Sequence, residues 1–178
     1  AATRIELEDS LIVANDVGDN GTVGATDAGL DSGQSVRLFD AGDAIRVQFS
    51  VPASGNYRLS VRLRAGGANA ITAFWPGGYQ FRLDGGTLEL TGDRDSVSPF
   101  DSAYGGAYWG TMRGDVALTA GAHSVEIVAN TAWTAADYFE FAPLSGGAAL
   151  ETGTTRPAIL AQPASGVVAP GGRISLAI

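Results

Sequence analysis

The residue types that carry most protein chemistry are thinly spread in this chain. Cysteine is absent and His123 is the single histidine. Thiol nucleophiles, zinc–thiolate centres and disulfides are therefore excluded, and a Ser-His-Asp triad would have to run through His123. His123 stands in Gly121-Ala122-His123-Ser124, a turn leading into an apolar run, which suits a structural role. Asp and Glu together number 19. Most of the aspartates lie beside Gly, Asn or Ser, where Asp caps its own backbone in turns. Gly92-Asp93-Arg94-Asp95-Ser96, the densest acidic stretch, reads as a solvated loop, and no pair stands out as the two carboxylates of a glycosidase. Catalysis is not expected.

Two glutamates point elsewhere. Ile5-Glu6-Leu7-Glu8 sets carboxylates at i and i+2, on one face of a strand. Asp137-Tyr138-Phe139-Glu140-Phe141 sets an aspartate at the head of a late strand. If those strands are neighbours, three carboxylates meet. Calcium takes about six to eight oxygen ligands, carboxylates and backbone carbonyls among them, and Glu6, Glu8 and Asp137 with carbonyls from a loop suffice. An alternating glutamate pair equally suits an edge strand that faces water, and the spacing alone leaves both readings open.

The elements that must position these residues are strands. Ile45, Val47, Phe49 and Val51 alternate with polar residues, as do Tyr57, Leu59, Val61 and Leu63, and Pro52-Ala53-Ser54-Gly55-Asn56 between them is a turn by composition. The pair reads as a hairpin with one buried face and one Arg-rich face in water. Further strands are expected at Ile5–Glu8, Val36–Phe39, Gln80–Leu83, Thr87–Leu90, Tyr108–Met112, Val116–Leu118, Ser124–Val128 and Tyr138–Phe141, with a tight turn at Asp84-Gly85-Gly86. Glycine is abundant, 25 of 178 residues, and 45% of the chain is hydrophobic, as many-turned packed β structure requires. The fold class is all-β, an antiparallel β-sandwich of jelly-roll type. The net charge of −8 disfavours nucleic acid and anionic membranes as partners and suits a cation or a neutral polymer. No apolar run approaches the roughly 20 residues of a membrane span.

The order of Ile5-Glu6-Leu7-Glu8, Val17-Gly18-Asp19-Asn20-Gly21-Thr22-Val23-Gly24, Gly42-Asp43-Ala44-Ile45, Ser54-Gly55-Asn56-Tyr57, Leu118-Thr119-Ala120-Gly121-Ala122-His123 and Asp137-Tyr138-Phe139-Glu140-Phe141 resembles the family 6 and family 35 carbohydrate-binding modules, over about residues 3–142. The resemblance implies a jelly-roll sandwich with a structural calcium (Ca2+) held by Glu6, Glu8 and Asp137. Backbone ligands would come from the Gly24–Gly33 loop, which includes Asp27 and Asp31. It also implies an aromatic-walled sugar site among the end loops, with Trp109 as one wall and Tyr104 and Tyr108 nearby, because the C–H face of a sugar packs on a π-face. Many relatives carry a sugar-bonding Asn where this chain has Ala135. The long connection Ala65–Tyr79 offers Trp75 and Tyr79 as a substitute platform or, alternatively, a plug for one end of the sandwich. Trp133, in the last loop close to Ala135, either stacks on ligand or caps the core beside the calcium.

The implied function is non-catalytic: the module docks a secreted or cell-surface protein on a polysaccharide or oligosaccharide. Its rival is a structural or adhesive calcium-binding sandwich without a sugar site, which Ala135 favours. Exposure separates the two, because the first needs Trp75 or Trp109 on an open loop face and the second buries both. The C-terminal texture differs from the rest. Residues 143–156 read as a linker, and residues 157–178, with strand-like runs around Pro170-Gly171-Gly172, as the truncated start of an immunoglobulin-like repeat in a longer multidomain chain.

Overall fold

The computed structural model describes residues 1–21, 23–24, 26–27, 34–67, 70–71, 75–99, 108–145 and 148–150. The strands in chain order are β1 (Thr3–Glu6), β2 (Ile12–Asn15), β3 (Thr26–Asp27), β4 (Ser35–Leu38), β5 (Ala44–Val51), β6 (Gly55–Gly67), β7 (Ala70–Ile71), β8 (Tyr79–Leu83), β9 (Gly86–Leu88), β10 (Thr91–Pro99), β11 (Tyr108–Leu118), β12 (Gly121–Ala129) and β13 (Thr134–Ser145). A helical turn, α1 (Leu7–Ser10), follows β1. One sheet runs β10-β11-β6-β13-β4-β3, with β1 also on β13 and β7 on β6; the other runs β2-β5-β12-β8-β9. The described ladders are antiparallel. The architecture is an all-β antiparallel sandwich.

Alternation decides which face of each strand is buried. Val47, Tyr57, Leu59, Val61 and Leu63 are all 0% exposed, and each large apolar side chain taken from water is worth about 1.5–3 kcal/mol. Phe49 of β5 meets Phe141 of β13 with ring centroids 4.6 Å apart, which ties one sheet to the other. Partner choice departs from the sequence reading. β5 and β6 do not form a hairpin: β5 pairs with β12 and β2, whereas β6 pairs with β11 and β13 in the opposite sheet. The Pro52–Ser54 turn therefore crosses between layers, and the apolar faces of the two strands both point into the core.

Other elements also differ from expectation. β1 stops at Glu6, and Leu7 leaves the strand to be buried in the first turn of α1, whose Leu7 carbonyl accepts from the Leu11 amide. β2, over Ile12-Val13-Ala14-Asn15, is exposed at every residue and gives no period-two signal. Gly92–Ser96 lies within β10, where Asp93 bonds Arg113 of β11 at 2.7 Å and is not a free loop carboxylate. The runs Tyr108–Met112 and Val116–Leu118 are one strand, continued through Gly114-Asp115 by pairing with β6 along its whole length. A Cβ at Gly114 would lie 2.9 Å from Leu90, so only glycine passes there unhindered. β13 continues to Ser145, and Leu150 is buried with its amide on Thr3 Oγ1. The sandwich therefore reaches past residue 142, into the stretch read as linker. The expected immunoglobulin-like start at 157–178 lies outside the described residues.

At Asp84-Gly85 both residues have positive φ, 51° and 81°, the two-residue hairpin turn expected between β8 and β9.

Candidate functional site

The carboxylates converge where β13 changes partners. Its first residues, Thr134–Ala136, pair with β4, and the same edge from Tyr138 onward pairs with β1, beginning at Tyr138↔Glu6. Asp137 falls in the gap, at an irregularity in the β6 ladder, and is fully buried. The turn of α1 brings Glu8 back beside Glu6, so the two glutamates meet through a strand-to-helix corner and not through a shared strand face. Ligand oxygens of Glu6, Glu8 and Asp137 all lie within 4.8 Å of one another. Like charges at that spacing repel by about 3–4 kcal/mol per pair at an effective dielectric near 20. A set of hard carboxylate oxygens crowded at one corner, with Asp137 fully buried, fits a divalent cation of the calcium type. Asp31 lies outside the described residues, and Asp27 enters as the last residue of β3.

The expected ring platform is not where the sequence placed it. Trp109 is 0% exposed, on β11 between Ser98 of β10 and Arg64 of β6, and offers no open face. Trp75 is 9% exposed and fills the space above Gly92 and Gly110. It is the plug of the two readings offered for it. Tyr79 is buried because its hydroxyl bridges the sheets, 2.6 Å from the Arg64 carbonyl and 3.1 Å from that of Ala135. Tyr108 is half-buried at the head of β11. Tyr104 lies outside the described residues. Ala135, where the resemblance led to the expectation of a sugar-bonding Asn, is fully buried. A Cβ at Gly110 would sit 2.9 Å from both the Trp75 ring and Val97. Gly110→Ala is accordingly expected to cost about 1–2 kcal/mol by overpacking, read as a lower denaturation midpoint at unchanged m-value.

The exposed tryptophan is Trp133. Read from sequence either as a cap on the core or as a ring that stacks on ligand, it presents its side chain to solvent at 52% relative exposure, which does not suit the cap. Its backbone is left-handed, φ 64°, a conformation that costs a non-glycine residue about 1–2 kcal/mol. Hydrogen bonds on both sides hold it there: its amide donates to the Phe39 carbonyl at 3.0 Å, and the buried Arg64 guanidinium donates to its carbonyl. The indole leans on Phe39 with centroids 4.3 Å apart. The surrounding loops are fastened together. Asp43, fully buried, accepts from the amides of Val17 and Asp40. Asn20 bonds the Asp40 carboxylate, and Asn130 donates to the Gly78 and Gly77 carbonyls. Hydrogen bonds thus tie these loops to one another, and Trp133 packs on Phe39. The sequence signal for Trp133 is weak but present: it follows Asn130-Thr131-Ala132, with no apolar alternation to carry it into the core.

His123 behaves as the structural turn residue expected of it. Nδ1 lies 2.7 Å from Asp84 Oδ2 and Nε2 lies 2.8 Å from the Thr119 carbonyl. Both ring nitrogens face acceptors, which favours imidazolium. Burial lowers the His123 pKa, but the Asp84 hydrogen bond, the Thr119 carbonyl and the Asp84 charge outweigh it and raise the net value. For Asp84, burial acts upward, and the bonds from His123 and the Ser124 amide with the imidazolium charge bring it below its ordinary value. The raised histidine contributes stability fully below its ordinary 6.5, and that share is lost as pH climbs through the folded value. The depressed aspartate contributes above its ordinary 3.8, and that share is lost as pH falls through the folded value. The advantage of the parent over His123→Gln in thermal melts should therefore be largest between about pH 4 and 6.5 and fade toward pH 9. The exposed Asp84 side keeps it within about 1 kcal/mol. An advantage that does not change with pH would remove the imidazolium from the argument.

No family model and no curated protein matches the chain. Solved structures do. The chain is similar to CBM35 from Cellvibrio japonicus at 20% identity and TM-score 0.55, covering 86% of this chain and 99% of that one. It is also similar to the C-terminal CBM6 of a marine laminarinase from Zobellia galactanivorans, at 17% identity and TM-score 0.50, covering 80% and 99% respectively. The β-sandwich described here has the fold of the family 35 and family 6 carbohydrate-binding modules.

Proposed function

We propose that this chain is a non-catalytic carbohydrate-binding module whose glycan docks on the loop end at Trp133. The observation that carries the reading is Trp133 itself: a solvent-exposed indole held in a strained left-handed backbone by Arg64 and Phe39. Strain retained by surrounding bonds marks positions where the conformation is used. A fixed ring also spends little entropy when it packs on the C–H face of a pyranose. Asp40, next to Phe39 in the chain, and Asn130, three residues before Trp133, are candidates for contact with sugar hydroxyls. The fold supports this reading, since the similar solved structures are carbohydrate-binding modules. Burial of Trp75 and Trp109 is what the structural or adhesive reading expected of those two rings, and glycan binding is supported here by Trp133, the exposed tryptophan. Glu6, Glu8 and Asp137 hold a calcium ion that ties β1, α1 and β13 together, and such a site suits the calcium-rich extracellular side of a cell.

Tryptophan fluorescence tests the reading, because the three tryptophans divide into two buried and one exposed. Acrylamide is expected to quench one accessible component, and a bound polysaccharide is expected to shield that component and shift its emission to shorter wavelength. A glycan that binds without shielding it would move the site away from Trp133.

A further inference from the structure

β5 is paired along its whole length on one side only. β12 covers it from Val51↔Gly121 to Ala44↔Val128. On the opposite side β2 reaches Ala44, Ile45 and Arg46, and among the described residues no strand continues along 47–51. The residues that would extend β2 in that direction are coiled into α1 instead. A groove of about 790 Å3 lies along that edge, bounded by residues 4–6 of β1, 9–12 and 48–50 of β5. Successive side chains of a strand point to opposite faces, here Gln48 exposed and Phe49 buried, so a groove that residues 48–50 line together includes the backbone edge. An open edge presents N–H and C=O groups ready to pair, and proteins commonly blunt such edges with lysine, proline or inward charges. Val47-Gln48-Phe49-Ser50-Val51 carries none of these.

This shape selects an extended peptide. About five residues of strand span about 17 Å, and they can exchange ladder hydrogen bonds with β5 by strand addition. Leu11 and Ile12, the latter 41% exposed, receive apolar side chains. Asp9, exposed at the rim, receives a cation. The cations of the lining are already committed, Arg4 to Glu140 and His123 to Asp84. A second copy of this chain would bring a further net charge of −8 to that rim, whereas a basic segment is drawn to it. We infer that the groove beside β5 is a strand-addition site for an extended segment of a partner protein, with apolar residues alternating with basic ones. The site does not depend on the glycan reading.

The single histidine lines the groove, so its ring signals and the amide signals of residues 47–51 report occupancy by NMR. The full chain in millimolar calcium is titrated with a synthetic heptapeptide of alternating valine and lysine and with its valine–glutamate counterpart. Two further forms of the first peptide carry N-methyl groups on alternate backbone amides, one form for each frame. The expected result is a saturable shift of both sets of signals with the valine–lysine peptide. Binding is weaker by at least about tenfold when the amides of one frame are blocked, because several ladder bonds are lost together. Asp9→Asn, at an exposed position, weakens it about two- to fivefold at an unchanged melting temperature. No shift with the valine–lysine peptide, or undiminished binding by both methylated forms, overturns strand addition. Equal binding of the glutamate peptide, or binding unchanged in Asp9→Asn, overturns the basic partner. Sedimentation of the peptide-free protein as a dimer that the peptide dissociates gives the edge to a second copy and overturns the partner segment.

Discussion

Stripping calcium from the folded protein lowers its melting temperature by about 5–15 °C. The expectation follows from mass action. An ion that binds only the native state at 100 to 1,000 times its Kd adds about 2.7 to 4.1 kcal/mol, and a domain of this size shifts by about 2–4 °C per kcal/mol. The unfolded chain has no such site, because Asp137 is more than a hundred residues from Glu6 and Glu8 in sequence. Without the ion the three carboxylates, within 4.8 Å of one another, repel and the β1–α1 corner loosens from β13. Asp137→Asn keeps the shape of the side chain and removes a charged ligand, so its melting temperature should respond little to calcium or EDTA. Differential scanning fluorimetry of metal-free protein, with the metal content measured independently, decides the matter. An identical melting curve with and without calcium would remove the ion from the structure.

Trp133→Ala weakens glycan binding by at least about 30-fold while leaving the fold intact. An aromatic anchor at the centre of a recognition surface is commonly worth about 2 kcal/mol or more, and an exposed side chain contributes within about 0.5 kcal/mol to stability. The buried tryptophans should behave in the opposite way. Trp109→Ala and Trp75→Ala open cavities and cost about 3–5 kcal/mol of stability, so any loss of binding in them follows unfolding. Isothermal titration beside thermal melts separates the two patterns. Binding lost without a change in melting temperature belongs to Trp133, and binding lost only with the fold belongs to Trp109 and Trp75.

Much of this was legible before any coordinates, and the limits have physical causes. The inward faces of β5 and β6 could be read residue by residue, because the pleat converts burial directly into period two. Their partners could not: alternation reports a face and carries no information about the neighbouring strand, so two strands joined by a turn looked like a hairpin and belong to different sheets. β2 was invisible because an exposed edge strand needs no alternation. Glu6, Glu8 and Asp137 lie together, although the corner at Leu7 that gathers them was not foreseen. That corner comes from the burial of Leu7 and not from the glutamates. The burial of Trp109 was not foreseen. Whether an indole is covered depends on packing that its local sequence does not carry, as the fully buried Trp109 makes plain. The left-handed backbone that lifts Trp133 out of the core is fixed by Arg64 and Phe39, 69 and 94 positions away in the chain.

The most direct test is a binding array of neutral and acidic polysaccharides in millimolar calcium, probed with the parent and with Trp133→Ala side by side. The parent should bind at least one neutral polysaccharide, and the variant, melting at the same temperature, should bind it far more weakly. A folded parent that binds nothing on a broad array, or a variant that binds as well as the parent, would contradict glycan recognition at Trp133.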